Sequence, residues 1–169
     1  MKAIAILVSS WLTLIGEDAE KLCHRNCKIS QAGVAMVQNF EGFSPYPYKD
    51  AVGIPTIGYG HVILPGEIFN CPLTRSEAML LLKQDASKAE KAVNYGVKVP
   101  LKQRQADSLI SFTFNIGGGK LSSSTLLRMV NNSRHHEAAL EFKKWVYAGG
   151  IKLKGLVLRR EAESLMYEG

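Results

Sequence analysis

Long apolar runs, catalytic signature loops and cysteines are what this chain has least of, and each shortage narrows its chemistry. No glycine-rich phosphate loop is present: Gly117-Gly118-Gly119 lacks the Lys-Ser/Thr that would follow, so phosphoryl transfer loses its usual cradle. No Gly-x-Ser-x-Gly elbow occurs, which argues against an esterase or serine-peptidase site. Zinc-finger spacing and RNA-binding aromatic signatures are missing too, so nucleic acid is not an expected partner. The one uncharged apolar run, Ala3 to Gly16, falls short of the roughly 20 residues of an ordinary spanning helix. No internal repeat or low-complexity tract appears.

Three cysteines, Cys23, Cys27 and Cys71, cannot all pair within one chain. A bridge from Cys23 or Cys27 to Cys71 would tie the N-terminal arm to the rest and suit an oxidising compartment. Buried free thiols and zinc ligation by Cys23, His24, Cys27 and Cys71 are the alternatives, the zinc spacing matching no standard site. No metal or other cofactor is expected.

What remains is ordinary for a folded domain: 169 residues, 46% hydrophobic and 21% charged, enough for one core with a small additional lobe. The net charge of +6 favours an anionic partner such as an acidic cell wall, or simply solubility. Ala3 to Gly16 follows Lys2, has the length of a secretory apolar region and is followed by no Ala-x-Ala cleavage site. Residues 1–29 are therefore read as an uncleaved export anchor with its connector, an apolar helix packed on the domain being the alternative, and residues 30–169 as the folded domain.

Within that domain Ser30 caps a helix to about Glu41, which Gly42 ends. Tyr46 to His61 reads as a β-hairpin or small sheet with a turn at Asp50-Ala51-Val52-Gly53. Thr74-Arg75-Ser76-Glu77 is a capping box opening a helix to about Val93. A helix follows Pro100 and stops at the triple glycine. Ser122 to Ser124 cap a short helix to about Asn131. Arg134 to Val146 reads as one helix ended by Gly149-Gly150. Gly155 precedes the last, with Leu158, Ala162, Leu165 and Met166 on one face. The class is α+β, a small β-lobe inserted before a larger helical lobe with a cleft between them.

Two carboxyl groups stand at the edges of that cleft. Glu41 ends a helix, and Asp50 follows nine residues later in a polar turn; Thr56 comes six residues after that. Glycoside hydrolysis needs one carboxylic acid to protonate the leaving oxygen and a second carboxylate for water or the sugar cation. Phe40, Gly42 and Phe43 around Glu41 suggest apolar surroundings that would keep it protonated. Asp50, beside Lys49, would stay ionised and orient water, with help from the Thr56 hydroxyl. Singly, each residue has a plainer reading: a surface helix end, a turn former, a strand residue.

Glu41-Gly42, Tyr48-Lys49-Asp50 and Thr56-Ile57-Gly58-Tyr59-Gly60-His61 together resemble the phage lysozymes of glycoside hydrolase family 24. The resemblance continues through Ser111 to Gly117, Ser124 to Leu127, Trp145 to Gly150 and Gly155 to Arg160. It implies a lysozyme-like fold and a monomeric enzyme that cleaves the β-1,4 bond between N-acetylmuramic acid and N-acetylglucosamine in peptidoglycan. It implies Glu41 as general acid, Asp50 as second carboxylate and Thr56 as its hydroxyl partner. Phe114, Asn115 and Tyr59 would contact substrate. His61, Arg159 and Arg160 would support the site, one arginine pairing with Glu41. Within the family the chain is most similar to endolysins with a signal-anchor-release segment, which are made in the host cytoplasm, held at the inner membrane by that segment, here residues 3–16, and act on the wall after release. Three rivals remain: a wall-binding module without catalysis, a membrane-active segment at Arg134 to Lys154, and a lytic transglycosylase using Glu41 alone.

Overall fold

The computed structural model describes residues 17–50 and 53–169. The anchor read at Ala3 to Gly16 and the centre of the turn at Ala51-Val52 lie outside the described residues.

A short 3-10 helix at Glu17–Glu20 leads into strand β1 (Leu22–Cys23). Helix α1 (Gln31–Glu41) then starts at Ser30, whose hydroxyl accepts from the Gly33 amide as an N-cap should. The same cap is locked to the domain, because Asp107 accepts from both the amide (2.8 Å) and the hydroxyl (2.5 Å) of Ser30. Gly33 has to be small here: a Cβ would stand 2.8 Å from the Asp107 carboxylate. Gly42, at φ +71°, ends α1 directly after Glu41.

The β-lobe is a three-stranded antiparallel sheet, β2 (Ser44–Lys49), β3 (Pro55–Gly58) and β4 (His61–Val62), in that order. Tyr48 pairs with Thr56 and Lys49 with Pro55, while Ile57 pairs with His61. Its core of Val34, Val37, Ile57, Tyr59, Leu73, Ala78 and Leu82 is shared with two helices.

Helix α2 (Arg75–Gly96) connects the lobes. Thr74 and Glu77 make both bonds of the expected capping box, and the helix runs about 33 Å at 1.5 Å per residue. Ala78 and Leu82 on its first turns belong to the β-lobe core; Ala89 and Val93 further on belong to the helical core. The helical lobe surrounds α3 (Gln103–Ile116), which follows β5 (Leu101–Lys102) and packs on α1, α2 and the last helix. Leu109, Ile110 and Phe112 on α3 are fully buried. The short helices α4 (Gly118–Ser122), α5 (Thr125–Asn131) and α6 (His135–Phe142) complete the lobe with α7 (Lys154–Glu168).

Four expectations change. The triple glycine does not stop all helical structure: Gly117 alone breaks α3, at φ +86°, and Gly118 and Gly119 open α4. The helix read across Arg134 to Val146 ends at Phe142. Gly149 and Gly150, both at positive φ, instead turn a hairpin between β6 (Tyr147–Ala148) and β7 (Ile151–Lys152), the conformation a two-residue hairpin demands. The membrane-active reading of Arg134 to Lys154 therefore lacks its continuous amphipathic helix. On α7, Ala162 and Met166 are buried as expected, but Leu165 is 46% exposed and the arginines face inward. Finally, Cys23 is bonded to Cys27, and Cys71 is an exposed free thiol. Pairing of β1 with β5 holds Cys23 on the helical lobe, while Cys71 follows β4 at the other lobe, so the bridge to Cys71 does not form.

Candidate active site

Glu41 is carried to the cleft by the last turn of α1, and its partner comes from the far end of the chain. The Arg159 guanidinium donates to its Oε1 at 2.6 Å. An apolar pocket for Glu41 is thus not what forms. Phe40 joins the α1–α7 core beneath Arg159, and Phe43 packs at a tilt against Tyr59, leaving a guanidinium as the carboxylate's neighbour. The Glu41 side chain is 21% exposed, so it is reachable from the cleft. Oε2 points toward Gly60, where a Cβ would stand only 3.0 Å away. Gly60 sits at φ +79°, so both its backbone and its missing side chain leave room for the carboxyl group.

Arg159 does not stand alone. Its Nε donates to Glu163 at 3.1 Å and another nitrogen donates to the Ser111 carbonyl. Glu163, fully buried, also accepts from the Ser111 hydroxyl at 2.7 Å and binds Arg160 through its second oxygen. Arg160 in turn donates to the Trp145 carbonyl and to the Asn115 side chain, and its guanidinium lies over Phe112. Burial draws Arg160 down from its usual value against the opposing pull of Glu163, as expected for a cation taken out of water. The sequence left open which arginine meets Glu41. It is Arg159, while Arg160 braces α7 against α3.

Asp50 is positioned locally. Its amide donates to the Ile54 carbonyl, its carbonyl accepts from Gly53, and its Oδ1 accepts from the Ile54 amide at 2.8 Å. The turn is thus closed in part by the residue's own side chain. Thr56 is buried, and its hydroxyl donates to the Ile54 carbonyl at 3.0 Å, so it braces the same turn; its lone pairs remain acceptor positions.

Tyr48, which the sequence reading passed over as part of a motif, pairs with Thr56 across the sheet and feels the charge of both acids. Its phenol is held above its ordinary value first by burial and then by the negative charges of both Glu41 and Asp50. One ring therefore lies within electrostatic reach of both carboxylates. Its register opposite Thr56 was the available signal.

The remaining predicted residues divide. Phe114 packs against both cores and lines an open cavity of about 310 Å³ that also touches Gly60, Val62 and Leu64. Asn115 is exposed, with its side-chain oxygen engaged by Arg160. Tyr59 is buried in the β-lobe, its hydroxyl accepting from Arg75 at 3.2 Å. His61 is buried between two acids, Nδ1 at 2.6 Å from Asp85 and Nε2 at 3.1 Å from Glu67. Burial opposes its charged form, but the two hydrogen bonds prevail and the imidazole is raised above its ordinary value. Among the described residues no cluster of His, Cys, Asp and Glu has the makings of a metal site.

A small sheet and a helical lobe are joined by one long helix, with Glu41 at the end of the helix that leads into the sheet. The phage lysozyme family model matches residues 38–163, and the chain belongs to that family. It is 39% identical over 145 residues to the endolysin of Bacillus phage B103, covering 82% of this chain and 53% of that protein, so it spans about half that relative's length. It is 38% identical over 126 residues to the SAR-endolysin of bacteriophage PS119, covering 73% of each. Among solved structures, the muramidase domain of SpmX from Asticaccaulis excentricus superposes with a TM-score of 0.77 at 35% identity, covering 87% of this chain and 99% of that one.

Proposed function

We propose that this chain is an endolysin that hydrolyses the β-1,4 bond between N-acetylmuramic acid and N-acetylglucosamine in bacterial peptidoglycan, lysing the host cell. Glu41 is the general acid that protonates the leaving oxygen, and Asp50 is the carboxylate that positions the attacking water or meets the developing sugar cation. Thr56 offers its hydroxyl oxygen to that water while keeping the Asp50 turn closed. The observation that carries the reading is Glu41, reachable from the cleft with one oxygen held by Arg159 at 2.6 Å and the other turned toward Gly60. Arg159 orients Glu41 so that one oxygen is held and the other faces the Gly60 opening.

The fragment names of relatives, endolysin, SAR-endolysin and muramidase, support the same chemistry. The SAR-endolysin names also support anchoring at the inner membrane followed by release into the periplasm to act on the wall; residues 3–16 are proposed as the anchor and a monomer as the acting form. Among the described residues no helix is long and apolar enough to cross a membrane.

The test is clearing of purified peptidoglycan by wild type and by Glu41→Gln, with mass analysis of the fragments. Reducing-end muramic acid that disappears in the variant is the expected result. Clearing that persists in Glu41→Gln overturns the role of Glu41, and anhydro-muramic ends overturn the role of Asp50 in favour of a transglycosylase.

A further inference from the structure

Residues 147–155, the hairpin β6–β7 and the start of α7, are exposed without a break. Tyr147 is 62% exposed, Ile151 66% and Leu153 42%. A lone apolar side chain at a surface needs no explanation, but three between positions 147 and 153 do. The register puts them on both sides of the ribbon. Tyr147 stands opposite Lys152 on one face, and Ala148 opposite Ile151 on the other. The ribbon is fixed at its base. The Leu153 amide donates to the Val146 carbonyl at 3.0 Å, Arg160 donates to the Trp145 carbonyl at 3.1 Å, and the Trp145 ring meets Phe112 edge-on. Beyond that base both faces are bare, although a two-stranded ribbon is at best marginally stable alone.

Charge selects what covers it. From Lys143 to Lys154 the chain carries four lysines and no acidic residue. Lys144 is paired with Glu141, whereas among the described residues Lys143, Lys152 and Lys154 make no ion pair. Unpaired cations interleaved with apolar side chains fit a partner that is both anionic and apolar. A protein groove would cover one face of the ribbon and leave the other in water. A second copy pairing along the strand edge would bring lysines together, the usual guard against such pairing. A fluid lipid interface wraps both faces at once. The Tyr147 ring suits the headgroup level, Ile151 and Leu153 enter the acyl boundary, and the lysine stems reach back to phosphate.

We infer that the β6–β7 hairpin is a docking surface for anionic lipid bilayers, separate from the anchor read at residues 3–16. It binds at the headgroup level, crosses nothing and needs no amphipathic helix. Lys154 precedes Arg159 by one and a half turns of α7, about 7.5 Å of helix, so the docked ribbon holds the Glu41 end of α7 toward the bilayer.

The test is co-sedimentation of the full chain with vesicles of phosphatidylglycerol and phosphatidylcholine, against vesicles of phosphatidylcholine alone. Residues 3–16 are present throughout, so the readout is the difference between variants. Lys152→Gln/Lys154→Gln lowers partition onto the anionic vesicles about 25-fold, about fivefold per lysine, and leaves partition onto neutral vesicles within about twofold. Lys83→Gln/Lys91→Gln removes the same charge from exposed positions on α2 and stays within about twofold of wild type on both. Tyr147→Ser/Ile151→Ser lowers partition at least about tenfold by removing the apolar share. Wall clearing by the lysine variants in lipid-free buffer stays near wild type, which shows that they fold and that the ribbon lies outside the hydrolytic site. Equal losses in the two lysine pairs would assign lipid binding to net charge and overturn the inference. So would ribbon variants that bind vesicles normally, that lose affinity for soluble peptidoglycan fragments instead, or that dissociate a dimer seen in sedimentation velocity.

Discussion

Glu41 and Asp50 are held in place by opposite means. Asp50 is held by bonds to Ile54 and Gly53, within four residues of itself. Glu41 is held by Arg159, 118 residues away in the sequence, which is itself fixed by the buried Glu163. A locally closed turn survives most changes elsewhere. A carboxyl group held by a long-range charge chain depends on every member of that chain, because each buried charge is tolerable only while its partners remain.

The sharpest way to break this contrast is Glu163→Gln. Two buried guanidiniums would then face each other without their shared anion, and stability should fall by about 3–5 kcal/mol in urea unfolding. A loss below about 1 kcal/mol would mean the arginines are held by their other partners. Asp50→Asn is the counterpart. The side-chain oxygen still accepts from Ile54, so stability should change by less than about 0.5 kcal/mol, while hydrolysis should fall at least about 100-fold. Comparable losses of stability in the two variants would erase the distinction between local and long-range support. Gly60→Ala comes next: left-handed backbone costs a side chain about 1–2 kcal/mol, and the new Cβ crowds Glu41 Oε2. Both unfolding free energy and wall clearing should drop; retained clearing would show that Glu41 has slack.

The smallest effect belongs to His61 and appears in its pH dependence. Its folded value is raised by Asp85 and Glu67 against burial, with Lys88 facing Asp85 from the same helix. The imidazolium therefore contributes stability fully below the unfolded value of about 6.5 and loses it as pH rises through the higher folded value. The melting-temperature gap between wild type and His61→Gln should be widest near about pH 5.5 and shrink on the alkaline side. A gap that stays constant across that range would rule out a charge contribution.

Much of the fold was legible because its signals are local. Ser30 and Gly42 bound α1, Thr74 and Glu77 cap α2, and the spacing from Glu41 to Thr56 led to the sheet and both acids. Where the reading failed, a local pattern admitted two outcomes. Gly149-Gly150 after Arg134 to Val146 serves equally as a helix stop or a hairpin turn, and the flanking Tyr147 and Ile151 tipped it to a hairpin. The cysteines were undecided because three thiols admit several pairings, and the bridge that forms is the local one, Cys23 to Cys27, four residues apart.

By itself, then, the sequence determined the helices, the small sheet and the two carboxyl groups at its edges, since caps, turns and alternation act over a few residues. Only the tertiary structure decided that Arg159 rather than Arg160 meets Glu41, and that Glu163 is shared between them. Those outcomes depend on which faces of α1, α3 and α7 are driven together by burial, and charges so enclosed must find partners wherever the packing puts them.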